Sequence, residues 1–181
     1  MLNHLVFGDP SVPKSIALLV STKDFNGKLL REHYVDFLVS KGISEDEIIV
    51  ITLQHNIRGK IGIEDARKHL TQVKSLIDSV GVKTLICCDG IYFKALTKKT
   101  KVEVYLSYSI KTLWPEQTVF WCPSFRQIFF NPATAQKIDL ALRGFVAFFT
   151  GQNSLFEKTI LIDADYARTR TAQQFSYQKL L

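Results

Sequence analysis

A chain of 181 residues, 46% hydrophobic and 22% charged, has enough apolar material for one folded domain with a sizeable core, so disorder is not the expectation. Its net charge of +6 favours an anionic partner, with nucleic acid the obvious one. Residues 1 to 14 hold Gly8, Asp9, Pro10 and Pro13, which interrupt regular structure and make a lead-in segment.

Ile16 to Val20 is a continuous apolar run of strand length, as expected for a strand buried on both faces. Ser21 to Lys28 follows as a polar loop that turns at Asn26 and Gly27. Leu30, Tyr34, Phe37 and Leu38 then recur at helical spacing up to Lys41, and Gly42 stands where a left-handed cap would end the helix. Glu47 to Thr52 reads as a second buried strand and Gln54 to Gly62 as a polar loop. Ile63 to Val80 is predicted as a helix with Ala66, Leu70, Val73 and Ile77 on one face, closed by Gly81. Val82 to Cys88 is a third strand, and Asp89-Gly90 leads into a short helix through Ile91, Phe93 and Leu96. Val102 to Tyr108 alternates like a half-exposed strand or hairpin arm. Thr118 to Trp121 is the next strand, and Ala133 to Phe149 a helix with Ile138, Leu142, Phe145 and Phe149 as its stripe. A connector then leads to Lys158 to Tyr166, which offers an added edge strand before a basic tail.

Strands alternating with helices at this spacing predict an α/β fold, a three-layer α/β/α domain over 1–151 with a mostly parallel four-stranded central sheet. Residues 152–181 form an appendage or linker. The odd cysteine count, with Cys87 and Cys88 adjacent and Cys122 apart, does not resemble a disulfide framework. No signal peptide and no run of membrane-spanning length is present, so the expectation is a reducing, cytoplasmic protein away from the membrane.

Ligands of such sheets bind beyond the carboxyl ends of the strands, where the loops hold Lys23, Asp24, Asn26, His55, Asn56, Arg58, Asp89, Ser124 and Arg126. Neither GxGxxG nor GxxxxGK[ST] follows the first strand, so no nucleotide cofactor is implied. The histidines His4, His33, His55 and His69 lack zinc-ligand spacing, and no metal site is assigned. Asp163 and Asp165, two apart, are more simply a strand end with solvated carboxylates. Cys122 as a nucleophile would need His55 as its base, and a buried inert thiol is the simpler reading. Lys94, Lys98, Lys99 and Lys101 form the densest positive cluster, near Tyr92, Phe93, Tyr105 and Tyr108. That mixture suits phosphate contacts with base stacking on single-stranded nucleic acid, and equally a solvated lysine-rich turn.

Three passages carry a family resemblance: Gly42-Ile43 followed by Glu47 to Thr52; Thr84 to Gly90 with Phe93 and Leu96; and Cys122-Pro123-Ser124 with Asn131-Pro132. Together they resemble the uracil-DNA glycosylase superfamily, in particular the degenerate glycosylase-like domain at the front of some phage family A DNA polymerases, over about Ile16 to Thr150. The third passage is similar to the family's His-Pro-Ser loop, which grips DNA beside the lesion, with Cys122 where that histidine would stand. A neutral thiol is a poor donor to a developing oxyanion, so uracil excision is disfavoured. The resemblance implies that Ser124 hydrogen-bonds a phosphate, Phe125 wedges beside a base step and Arg126 pairs with backbone oxygens.

Three functional readings follow. The first is a non-catalytic glycosylase-like module of DNA replication or repair that binds DNA through Ser124, Phe125, Arg126, Arg58 and the Lys94, Lys98, Lys99 and Lys101 cluster, or docks a replication protein or polymerase. The second is a divergent DNA glycosylase or small-molecule hydrolase using Asp24, Asn26, His55 or Cys122. The third is a protein-interaction domain without DNA binding.

Overall fold

The computed structural model describes residues 2–56, 58 and 60–151. Six strands form one mixed sheet in the order β1-β3-β2-β4-β6-β5: β1 His4–Val6, β2 Ile16–Ser21, β3 Ile48–Leu53, β4 Thr84–Cys87, β5 Ser109–Lys111 and β6 Thr118–Trp121. β3, β2, β4 and β6 run parallel as neighbours, and the short edge strands β1 and β5 run antiparallel to β3 and β6. The sheet is therefore mixed and six-stranded, where the sequence pattern predicts four mostly parallel strands.

Both additions to the sheet lie at its margins, where sequence signals are weakest. His4–Val6 falls in the segment read as an irregular lead-in, and its three residues pair with Val6↔Ile49 to His4↔Ile51. Val102 to Tyr108, read as an alternating strand, instead carries a 3-10 turn at Glu103–Tyr105 and a left-handed Ser107 at φ 70°, with the strand displaced to Ser109–Lys111. A tertiary contact overrides the alternation there. Ser107 Oγ donates to the Leu140 carbonyl at 2.8 Å, and the helix residue lying against it is Gly144, where a Cβ would come within 2.7 Å of the Ser107 carbonyl oxygen.

The helices follow their sequence signals closely. α1 Gly27–Leu30 and α2 Asp36–Ser40 are joined by a π-helical turn at Arg31–Val35, and Gly42 follows at φ 91°. α3 Ile63–Val80 ends on Gly81 at φ 78°, a left-handed position that a Cβ would strain. α4 spans Gly90–Thr97 and α5 Thr134–Phe149. No described helix is long and apolar enough to cross a membrane.

Residues 1–146 form one compact unit, and those from Ala147 on a second, whose described part is the end of α5 with Thr150 and Gly151. The strand read over Lys158 to Tyr166 and the Asp163/Asp165 pair lie outside the described residues.

Burial explains the apolar runs. Ile16 to Val20 are at most 1% exposed, and each Ile, Leu or Val side chain among them contributes about 1.5–3 kcal/mol through removal from water. The pleat sends Ala17 and Leu19 toward Ala66, Leu70, Val73 and Ile77 of α3 and Phe93 and Leu96 of α4, in one apolar cluster. Phe120 meets Phe145 of α5 edge-on, with ring centroids 5.3 Å apart.

Register aligns Ser21 with Leu53 and Cys87 with Trp121, so the loops after the four parallel strands emerge at one end of the sheet. Between β2 and β4 the connections diverge, β2 leading to β3 on one side and β4 to β6 on the other. In open α/β sheets this divergence opens a crevice at the strand ends.

Candidate functional site

Two polar networks occupy that end of the sheet. The first joins the loop after β2 to the loop after β6. Asp24 is buried, and its carboxylate accepts from Ser124 Oγ at 2.7 Å and lies 2.6 Å from Arg126 Nε. Arg126 also donates to the Lys23 carbonyl. Beneath them the buried Tyr34 hydroxyl donates to the Pro123 carbonyl at 3.0 Å and accepts from the Phe125 amide at 2.7 Å. Burial pushes the Tyr34 phenol well above its ordinary range, which keeps it a neutral donor.

The second network joins the end of β2 to the loops after β3 and β4. His55 Nε2 sits 2.8 Å from Asp89 Oδ2, and His55 Nδ1 lies 3.3 Å from Ser21 Oγ and 3.2 Å from the Leu53 carbonyl. The other Asp89 oxygen caps α4, accepting from the Ile91 and Tyr92 amides, each at 3.0 Å. Tyr92 donates to the Gln54 carbonyl at 2.6 Å, and His69 Nε2 reaches the Thr52 carbonyl at 3.4 Å. Burial raises the Tyr92 phenol and lowers the His69 imidazole from their ordinary values.

Ser21, His55 and Asp89 thus place a hydroxyl, an imidazole and a carboxylate in a row. Their environment is that of a cap. The Leu53 carbonyl can only accept, so the tautomer able to take the Ser21 proton would turn a lone pair toward it. The His55 and Asp89 side chains are only 9% and 14% exposed.

The other candidates have structural partners too. Asn26 caps α1, accepting from the Leu29 amide at 3.1 Å. Cys122 is fully buried beside Cys88, and among the described residues no hydrogen bond joins it to a histidine. Burial also drives the Cys87 and Cys88 thiols well up, away from the thiolate form.

Among the residues expected to meet DNA, Phe125 requires a correction. It is 1% exposed, stacked on His33 at 4.9 Å and edge-on to Tyr34, so its ring is unavailable as a wedge. Ser124 holds Asp24 and caps the 3-10 turn at Phe125–Phe129. Arg126 keeps 53% of its side chain exposed. The solvent-facing aromatics of this loop are Phe129 and Phe130, at 76% and 90% exposed. No local sequence signal separates them from the buried Phe125 of the same turn.

The lysine cluster surrounds the end of α4. Lys98 ends the helix in the left-handed region at φ 57°, an uncommon conformation for a residue with a Cβ. Lys98, Lys99 and Lys101 are exposed and Lys94 half-buried, and among the described residues none of the four forms an ion pair. Lys99 Nζ lies 5.6 Å from the centre of the Tyr105 ring, over its face. Arg58 is exposed in the loop after β3. No family model matches this chain, and no curated protein or solved structure matches it either.

Proposed function

We propose that the protein is a non-catalytic module of DNA replication or repair, built as a three-layer, uracil-DNA glycosylase-like domain, that binds DNA through phosphate contacts and docks a replication protein. One observation supports this most directly. The strand-end groups with catalytic chemistry, Asp24, Asn26, His55 and Asp89, are bonded to other protein groups, and Cys122 is buried. By contrast, the lysines after α4 face outward without ion pairs among the described residues. Catalysis needs groups aimed at a substrate, whereas phosphate binding needs only mobile, solvent-facing cations.

In this reading Lys98, Lys99, Lys101 and Arg58 contact phosphates. Phe129 and Phe130 supply the stacking surface that the buried Phe125 cannot. The test is a titration of fluorescent single- and double-stranded oligonucleotides at several salt concentrations, with uracil-containing strands assayed in parallel for abasic sites. The expected result is affinity that falls as salt rises, with no abasic product. An absence of DNA affinity at low salt removes the DNA role, and abasic sites formed by pure protein overturn the non-catalytic reading.

A further inference from the structure

Helix α3 presents Arg67, Leu70, Thr71, Lys74 and Ser75 to a cavity of about 390 Å³ whose facing wall is Ala95, Leu96, Leu113 and Trp114. The α3 positions follow i, i+3, i+4, i+7 and i+8, a single stripe two turns long. Leu70, Ala95 and Leu96 form a buried apolar floor, while Leu113, 43% exposed, stands at the margin. Arg67 and Lys74 mark the two ends of the stripe, about 10 Å apart along the helix axis.

The facing wall is already fixed. The Leu113 amide donates to the Leu96 carbonyl at 2.8 Å, and Thr112 Oγ1 both accepts from the Trp114 amide at 2.9 Å and donates to the Trp114 carbonyl at 2.8 Å. Lys74 Nζ lies 5.7 Å from the Trp114 ring centre. A groove held in shape before binding loses little entropy when it is filled. The present partners of the two cations, Glu64 and Asp78, lie on the same helix: the Arg67–Glu64 pair is exposed, and half-buried Lys74 meets an exposed Asp78. An intrahelical surface pair contributes at most about 1 kcal/mol, so Arg67 can exchange its partner for an incoming carboxylate, and Lys74, whose partner Asp78 is exposed, can share its charge with one.

We propose that this groove docks a short acidic and apolar segment of a partner protein, with an aliphatic or aromatic anchor seated over Leu70, Leu96 and Trp114 between two carboxylates, one for Arg67 and one for Lys74. Charge complementarity selects that occupant. A single-headed amphiphile such as a fatty acid would satisfy one cation and leave the other, and a nucleic-acid strand would set phosphates over an apolar floor. An apolar anchor flanked by acids about two helical turns apart matches both features. This deepens the docking half of the function proposed above and does not depend on DNA contact.

The experiment selects random twelve-residue peptides, displayed on phage, against the full chain. It compares binding of the selected peptide to the native protein and to an R67Q/K74Q/L113Q variant whose fold is checked by circular dichroism. These three side chains are at the margin of the groove, so the variant is expected to fold. The expected result is enrichment of Leu, Phe or Trp flanked by Asp or Glu, and binding weakened at least about tenfold by the variant.

Enrichment of basic or uncharged sequences, no enrichment, or undiminished binding to the variant would each overturn the proposal. So would saturable binding of dodecanoate with no peptide selected, or a dimer of this chain that the variant dissolves. If DNA affinity is absent but the peptide is held, the DNA reading falls and this one stands. DNA affinity without peptide binding sinks this one alone.

Discussion

The strand-end loops and the segment from Lys98 to Ser109 carry similar kinds of residue and use them in opposite ways. In the loops Asp24 closes on Ser124 and Arg126 across 100 residues of sequence or more, and His55 closes on Asp89, with both carboxylates nearly out of water. In the segment after α4 Lys98, Lys99 and Lys101 face outward while Val102, Tyr105 and Leu106 pack on the core and Ser107 is buried; the backbone is constrained, with Lys98 and Ser107 both at positive φ and Ser107 pressed against Gly144. The first arrangement ties the loops to one another. The second costs conformational energy in the backbone and presents the lysine cations to solvent.

The largest effect expected from breaking this contrast is at Arg126. Arg126→Ala leaves the Asp24 carboxylate buried with Ser124 as its remaining side-chain donor. Losing one partner of a fully buried pair costs roughly 3–5 kcal/mol, and with the guanidinium half exposed we expect about 2–3 kcal/mol here. Urea denaturation measures it. A variant as stable as the native protein but much weaker on DNA would move Arg126 from the inward group to the outward one.

Next is Gly144→Ala. Alanine favours a helix by about 1 kcal/mol over glycine, yet its Cβ would collide with the Ser107 backbone, and overpacking of this kind costs about 1–3 kcal/mol. We expect a net loss of stability, accompanied by weaker DNA binding as the turn shifts. A stabilised Gly144→Ala protein would show that the turn is not seated on α5 as described.

Much of this contrast was legible in the sequence, but unevenly. The buried strands and the bounds of α3 and α5 follow from apolar runs, helical periodicity and glycine caps, which are local signals. Asp24, Ser124 and Arg126 were each identifiable as strand-end candidates, but their pairing was not, because it joins residues a hundred positions apart. Phe125 and Phe129 show the same limit: both are phenylalanines of one 3-10 turn, and it is tertiary packing of Phe125 on His33 and Tyr34 that accompanies burial of the first. Alternation at Val102 to Tyr108 predicted a strand because periodicity cannot register the contact of Ser107 with a helix that begins at Thr134.

A pH titration distinguishes the regions by a smaller margin. Burial holds His69 below its ordinary value of 6.5, so as pH falls through 6.5 the unfolded chain takes up a proton that the folded one resists. Its contribution to stability is complete above 6.5, declines as pH falls and is lost below the folded value, with a slope of at most about 1.4 kcal/mol per pH unit. Urea midpoints between pH 7.5 and pH 5 should fall more steeply in the native protein than in His69→Gln. Equal slopes would mean that His69 protonates as readily folded as unfolded.

The smallest effect on stability is the most discriminating one. Lys98→Gly relieves the left-handed strain at the end of α4, an expected gain of about 1 kcal/mol, and removes one outward cation. If Lys98 contacts a phosphate, the same variant binds DNA more weakly at every sequence, and the slope of log affinity against log salt shrinks by about one. Stability and affinity would then move in opposite directions from a single substitution. Lys99→Ala, with no strain to relieve, should reproduce the change in salt slope without the gain in stability. A Lys98→Gly protein that is more stable and binds DNA undiminished would leave the strained lysine without a role in binding, and the contrast between inward and outward charge would then rest on Lys99 and Lys101 alone.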